Sequence, residues 1–281
     1  MAAVLREDAR LWRAMNRAEL DRAYNNSEAV ADSAARLTAM TERSRQFRAQ
    51  HCNWLDLRYG ERERNRIDLF RCGRTDAPLL VFIHGGYWQR NNKEMFACLA
   101  AGPLSAGFDV AMIGYTLCPD IAMSDLVDEI EMSIVWLRLN AAQMGIGISH
   151  ILVSGWSAGA HLAATIMSRV QFDGALLISG IYDLTPCRLN YLNSALQLTA
   201  TDVHRFSPIN HVVSSICPMT IAYGSEELPE LRRQSVDYSS RLRGVGAAPT
   251  LKPLVHNHFS ILTEYENRTG KLVLALEKMV A

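Results

Sequence analysis

Three separated stretches of this chain hold residues able to cleave an acyl group. Gly155-Trp156-Ser157-Ala158-Gly159 sets a serine between two glycines, after the apolar run Ile151-Leu152-Val153 and before a helix-like segment from His161 to Met167. A serine on a sharp strand-to-helix turn is exposed as a nucleophile, and the glycines allow the tight crossing. The N–H after the serine, that of Ala158, then lies at a helix start and can donate to a developing oxyanion. Taken alone, Ser157 is equally well a helix N-cap.

A serine hydroxyl needs a base, and an imidazole held by a carboxylate supplies one. Gly224-Ser225-Glu226-Glu227 follows the apolar stretch 219–223, and His256-Asn257-His258 follows the stretch 250–255. His256 ends its strand, whereas His258 stands in the loop beyond, so His258 is taken as the base. Position slightly favours Glu227 over Glu226 as the acid, because it lies further from the strand end. His84-Gly85-Gly86-Tyr87-Trp88 follows the continuous apolar run 79–83. Small residues there let backbone N–H groups approach a substrate oxygen. His84 is read as a structural residue of that loop and not as a base.

The elements that must position these groups read as alternating strand and helix. Strands are expected at 53–59, 66–71, 79–83, 108–113, 148–154, 175–179, 219–223 and 250–255. Helices are expected at 124–144, 229–243 and 262–279, the last interrupted or restarted near Gly270. Such a series implies a mostly parallel sheet with helices on both faces and ligands beyond the carboxyl ends of its strands. Residues 1–50, with apolar positions from Leu5 onward at helical spacing, read as helices broken at Tyr24-Asn25-Asn26-Ser27 and packed on a main domain of residues 51–281. Residues 185–213 read as an insertion that forms a short cap over the site or packs on the core.

Composition bounds the function classes. The chain has 281 residues, 49% hydrophobic and 21% charged, as in a soluble globular protein. Lys+Arg and Asp+Glu balance at 29 each, which argues against nucleic acid as a partner. Six scattered cysteines form no metal-ligand pattern, so no zinc site is expected and reduced thiols in the cytoplasm are. No secretory signal, membrane span or membrane partner is expected. The oligomeric state stays open, a homodimer included.

His84-Gly85-Gly86-Tyr87-Trp88-Gln89 resembles the HGGYWQ motif of kynurenine formamidases (arylformamidases), serine hydrolases of the α/β-hydrolase fold. GWSAGAHL at 155–162 is similar to that family's GHSAGAHL. SGIYDL at 179–184 and GSEELPELRRQS at 224–235 resemble further family segments. The resemblance implies an α/β-hydrolase fold, in which residues 185–213 are the candidate short cap insertion. It also implies Ser157 as nucleophile, Glu227 as acid and His258 as base, with Gly86, Tyr87 and Ala158 as oxyanion donors. Glu227 stands where the family has Asp, and Trp156 where it has His. Tyr87, Trp88 and Trp156 are candidates for an aromatic substrate wall, or else for core packing.

The reading that follows is hydrolysis of a small aryl formamide such as N-formylkynurenine, in tryptophan catabolism, with no cofactor or metal. A carboxylesterase for small acyl or aryl esters uses the same residues and is the alternative. A non-catalytic ligand-binding member of the fold is the third reading.

Overall fold

The computed structural model describes residues 11–147, 150–212 and 217–280. Leu5, the start of the 148–154 strand and the last residue of the 185–213 insertion lie outside the described residues.

Eight strands form one sheet: β1 (Leu57–Arg58), β2 (Arg66–Phe70), β3 (Leu79–Ile83), β4 (Asp109–Ile113), β5 (Ile151–Trp156), β6 (Gly174–Ile178), β7 (Met219–Gly224) and β8 (Thr250–Leu254). Their order is β1-β2-β4-β3-β5-β6-β7-β8. β1 and β2 pair antiparallel, as do β2 and β4, and every other pair is parallel. The helices are α1 (Arg17–Ala23), α2 (Asn26–Ala29), α3 (Ser33–Gln50), α4 (Ala101–Ser105), α5 (Met123–Met144), α6 (Ala158–Ile166), α7 (Thr185–Leu189), α8 (Asn193–Leu196), α9 (Ala200–Phe206), α10 (Pro229–Gly244) and α11 (Lys271–Val280).

The central strands β3, β4 and β5 are buried at every residue. That is why β3 reads as a continuous apolar run: helices cover both faces. Alternate residues divide between two cores. Leu79, Val81, Ile83, Ile151 and Val153 face α5, α6 and α10. Leu80, Phe82, Leu152, Leu176 and Ile178 face α3, α11 and the 3-10 helix Lys93–Ala100.

The structure differs from the sequence reading at several places, among them the following. The strand expected over 53–59 shrinks to two residues. Asp56 is left-handed (φ 56°), its amide bonds to the Asp68 carboxylate at 2.9 Å, and its own carboxylate accepts from Lys93 at 2.6 Å. This kink ends the pairing. The expected turn 24–27 is shorter, because Asn25 caps α2 and Asn26 and Ser27 are already helical. Lys93–Ala100 and α4 are helical where no helix was expected. Finally, 262–265 belongs to a 3-10 turn, Ser260–Tyr265, while α11 starts at Lys271, at the restart expected near Gly270. A Cβ on Gly270 would lie 2.1 Å from the Glu264 carbonyl, so the chain bends sharply there.

Candidate active site

Ser157 sits between the buried strand β5 and helix α6 at φ 58°, ψ −118°. L-residues rarely adopt this conformation, and strain of that kind gathers at functional turns. The flanking glycines are required by close approach of backbone. A Cβ on Gly159 would lie 2.0 Å from the Ile83 carbonyl, and one on Gly155 would lie 2.3 Å from Gly159. The turn therefore packs directly onto the end of β3, and α6 leaves from there.

The loop after β3 presses against this turn. A Cβ on Gly85 would stand 2.7 Å from the Trp156 carbonyl oxygen and 3.1 Å from the Ser157 Cβ. The loop then coils tightly. Gly86 (φ 129°), Tyr87 (φ 52°) and Trp88 (φ 60°) all have positive φ, and the Gly86 carbonyl accepts from the amides of Gln89 and Arg90. Among the described residues no carbonyl takes up the amide of Gly86, Tyr87 or Ala158. Ala158 is the first residue of α6, where a helix leaves its N–H groups unpaired and its dipole favours negative charge.

Glu227 and His258 come from the loops after β7 and β8. His258 Nδ1 lies 3.2 Å from Glu227 Oε2, and both side chains are buried. The other oxygen, Oε1, accepts from the Ser179 hydroxyl at 2.5 Å and from the Gly224 amide at 2.6 Å. The glutamate thus folds back over its own loop and turns one oxygen toward the imidazole. Glu226 is exposed. Ser179, at the end of β6 and itself left-handed (φ 52°), was not singled out from the sequence. A lone serine in a loop carries no signal of a partner 48 residues away.

The other nearby histidines are engaged elsewhere. Both ring nitrogens of His256 have partners, Ser260 Oγ at 3.2 Å and Glu264 at 3.0 Å. His84 is buried and stacked on Tyr115 with ring centroids 4.3 Å apart, and burial pushes its pKa down to about 3. His161 accepts from Trp88 Nε1 at 3.1 Å and donates through Nε2 to the Phe206 carbonyl at 2.7 Å. Burial pushes its pKa down to about 4. His84 and His161 are thus neutral structural groups.

None of the three aromatic residues expected around a substrate presents a free ring: Tyr87 is 5%, Trp88 0% and Trp156 3% exposed. Trp88 ties its loop to α6 through His161. Trp156 packs against His258 with ring centroids 4.9 Å apart, and its Nε1 donates to the His258 carbonyl at 2.9 Å. The Tyr87 hydroxyl reaches back to the N-terminal segment, donating to the Tyr24 carbonyl at 2.6 Å and accepting from Asn26 at 3.0 Å.

The sheet, with helices on both faces, and this site define a hydrolase of the α/β-hydrolase fold. The BD-FAE family model matches residues 67–176. A protein of Silicibacter sp. TM1040 provisionally named a thioesterase, solved by crystallography, superposes with a TM-score of 0.82 at 28% identity, over 94% of this chain and 99% of that one. The kynurenine formamidases of Danio rerio and Salmo salar are 31% and 33% identical, each over 96% of this chain and 98% of its own. The chain belongs to the kynurenine formamidase family. Among the described residues no helix is long and apolar enough to cross a membrane.

Proposed function

We propose that this hydrolase cleaves a small aryl formamide of the N-formylkynurenine type to formate and the free amine, with Ser157, His258 and Glu227 as its catalytic residues. The observation that carries the reading is the Glu227–His258 pair at 3.2 Å, with the His258 ring packed on Trp156, the residue before a serine held at φ 58° whose neighbouring amides have no backbone partner among the described residues. The family's named activity and the HGGYWQ loop support the substrate class.

The Ser157 hydroxyl attacks the formyl carbon while His258 Nε2 takes its proton. Glu227 holds Nδ1–H, fixes the tautomer and balances the imidazolium. The carbonyl oxygen becomes an oxyanion facing the amides of Gly86, Tyr87 and Ala158. Removing one donor from such a site typically raises the barrier by about 3 kcal/mol. His258 returns the proton to the departing nitrogen, which an aryl amine needs more than an alcohol does. Water, deprotonated by His258, then attacks the formyl ester, and formate leaves. No step requires a cofactor. The six cysteines, all free, fit a reducing compartment such as the cytoplasm.

A second reading, a small-ester or thioester hydrolase, is favoured by the Silicibacter structure and by Trp156 at the family's histidine position. The test is kcat/KM on N-formylkynurenine against p-nitrophenyl acetate and a short-chain thioester. Formamide turnover at or above ester turnover supports the first reading. Ester or thioester turnover without formamide turnover replaces it with the second.

A further inference from the structure

Tyr24 lies between α1 and α2 and is fully buried. Its carbonyl accepts from the hydroxyls of Tyr87 at 2.6 Å and Tyr191 at 3.3 Å. Its hydroxyl donates to Glu230 at 3.2 Å and accepts from Gln234 at 3.0 Å. One residue thereby joins the loop after β3, the insertion after β6 and the helix that follows the acid loop. Asn26, 4% exposed, adds its own bond to the Tyr87 hydroxyl. No step of the reaction uses these groups.

Tyr87 explains why they converge. In the serine-hydrolase reading its amide serves the oxyanion site, and its backbone stands at φ 52°, a conformation that persists in an L-residue when surrounding contacts over-determine it. A tyrosine side chain has two soft torsions, so fixing its hydroxyl fixes the direction of its Cα–Cβ bond. We propose that Tyr24 and Asn26 form a latch that grips the Tyr87 hydroxyl and thereby holds the Tyr87 amide in the oxyanion site. This rests on the serine-hydrolase reading above. Tyr24, Asn26 and the Tyr87 hydroxyl are positioning groups, and only the Tyr87 amide meets the reacting oxygen.

The test uses the full chain and the variants Tyr87→Phe, Asn26→Ala, Asn25→Ala and Ser157→Ala, on both p-nitrophenyl acetate and N-formylkynurenine. Asn25→Ala removes the α2 cap without touching Tyr87. An oxyanion contact acts in the transition state, so its loosening lowers kcat and leaves KM in place. Tyr87→Phe is expected to lower kcat about tenfold and Asn26→Ala about threefold, less than the full loss of a donor. KM should stay within about twofold and Asn25→Ala should match the native enzyme. If Tyr87→Phe does not fold, Asn26→Ala decides. Native kcat in both latch variants, or a rise in KM alone, overturns the latch while an inactive Ser157→Ala leaves the catalytic reading standing. Turnover retained in Ser157→Ala overturns both.

Discussion

The indole N–H of Trp156 donates to the carbonyl of His258 at 2.9 Å, so the residue beside Ser157, the proposed nucleophile, holds the loop that carries His258, the proposed base. The contact spans 102 residues of sequence and links the end of β5 to the loop after β8. It gives Trp156 a part in the site other than that of an open pocket wall. Trp156→Phe keeps most of the packing and removes one buried hydrogen bond, worth about 1 kcal/mol. A fall in kcat of about fivefold is expected with that loss of stability, since small displacements of a catalytic group are costly. Steady-state kinetics and urea denaturation check both parts.

Glu227→Gln should lower kcat by at least about 100-fold, because an amide cannot balance the imidazolium and can hold the wrong tautomer. Glu226→Gln should stay within about twofold, as for a solvent-facing charge outside the site. The same rates on Glu226→Gln as on Glu227→Gln would move the acid off its assigned position. Ser179→Ala, which leaves Oε1 of Glu227 held by the Gly224 amide alone, should fall between the two.

His84 and His161 make the fold sensitive to acid. Their folded pKa values, about 3 and about 4, lie below that of an unfolded histidine, about 6.5. Above pH 6.5 both states are neutral at these sites and stability is full. Between about 6.5 and 4 the unfolded chain takes up protons that the folded chain refuses, so stability falls with pH by up to about 1.4 kcal/mol per unit for each group. His161→Gln should flatten the slope of Tm against pH in that window while lowering Tm at pH 8. An unchanged slope would show that His161 is protonated in the folded protein.

Gly159→Ala adds one methyl group where the nearest atom, the Ile83 carbonyl oxygen, would be 2.0 Å away. No flexible side chain can yield there, so a loss of more than about 3 kcal/mol or failure to fold is expected. Gly244→Ala, with nothing within 4 Å of the added carbon, is the matched control and should be stable. Thermal melts of the two variants decide the point.

Much of this architecture was legible because periodicity and burial agree. The run 79–83 reads as a covered strand and the apolar run 151–153 as part of a strand, and they are buried at each residue in β3 and β5. The loops after β3, β5, β7 and β8 could be placed because parallel strands put their carboxyl ends on one side. What escaped were relations set by tertiary packing. The Ser179 bond to Glu227, the reach of Tyr24 to Tyr87 and the burial of Trp88 and Trp156 leave no trace in spacing. The lost strand over 53–56 has the same origin, since Asp56 is pulled toward Lys93 and Arg48 across the fold.

The central claim is that Ser157 is activated by His258 and that His258 depends on Glu227. It is tested most directly by fluorophosphonate labelling followed by peptide mapping of the native protein, His258→Ala and Glu227→Gln. The account predicts a single label on Ser157, no labelling of His258→Ala over the same period, and slow labelling of Glu227→Gln. A label on another residue, or His258→Ala labelled at the native rate, would contradict it.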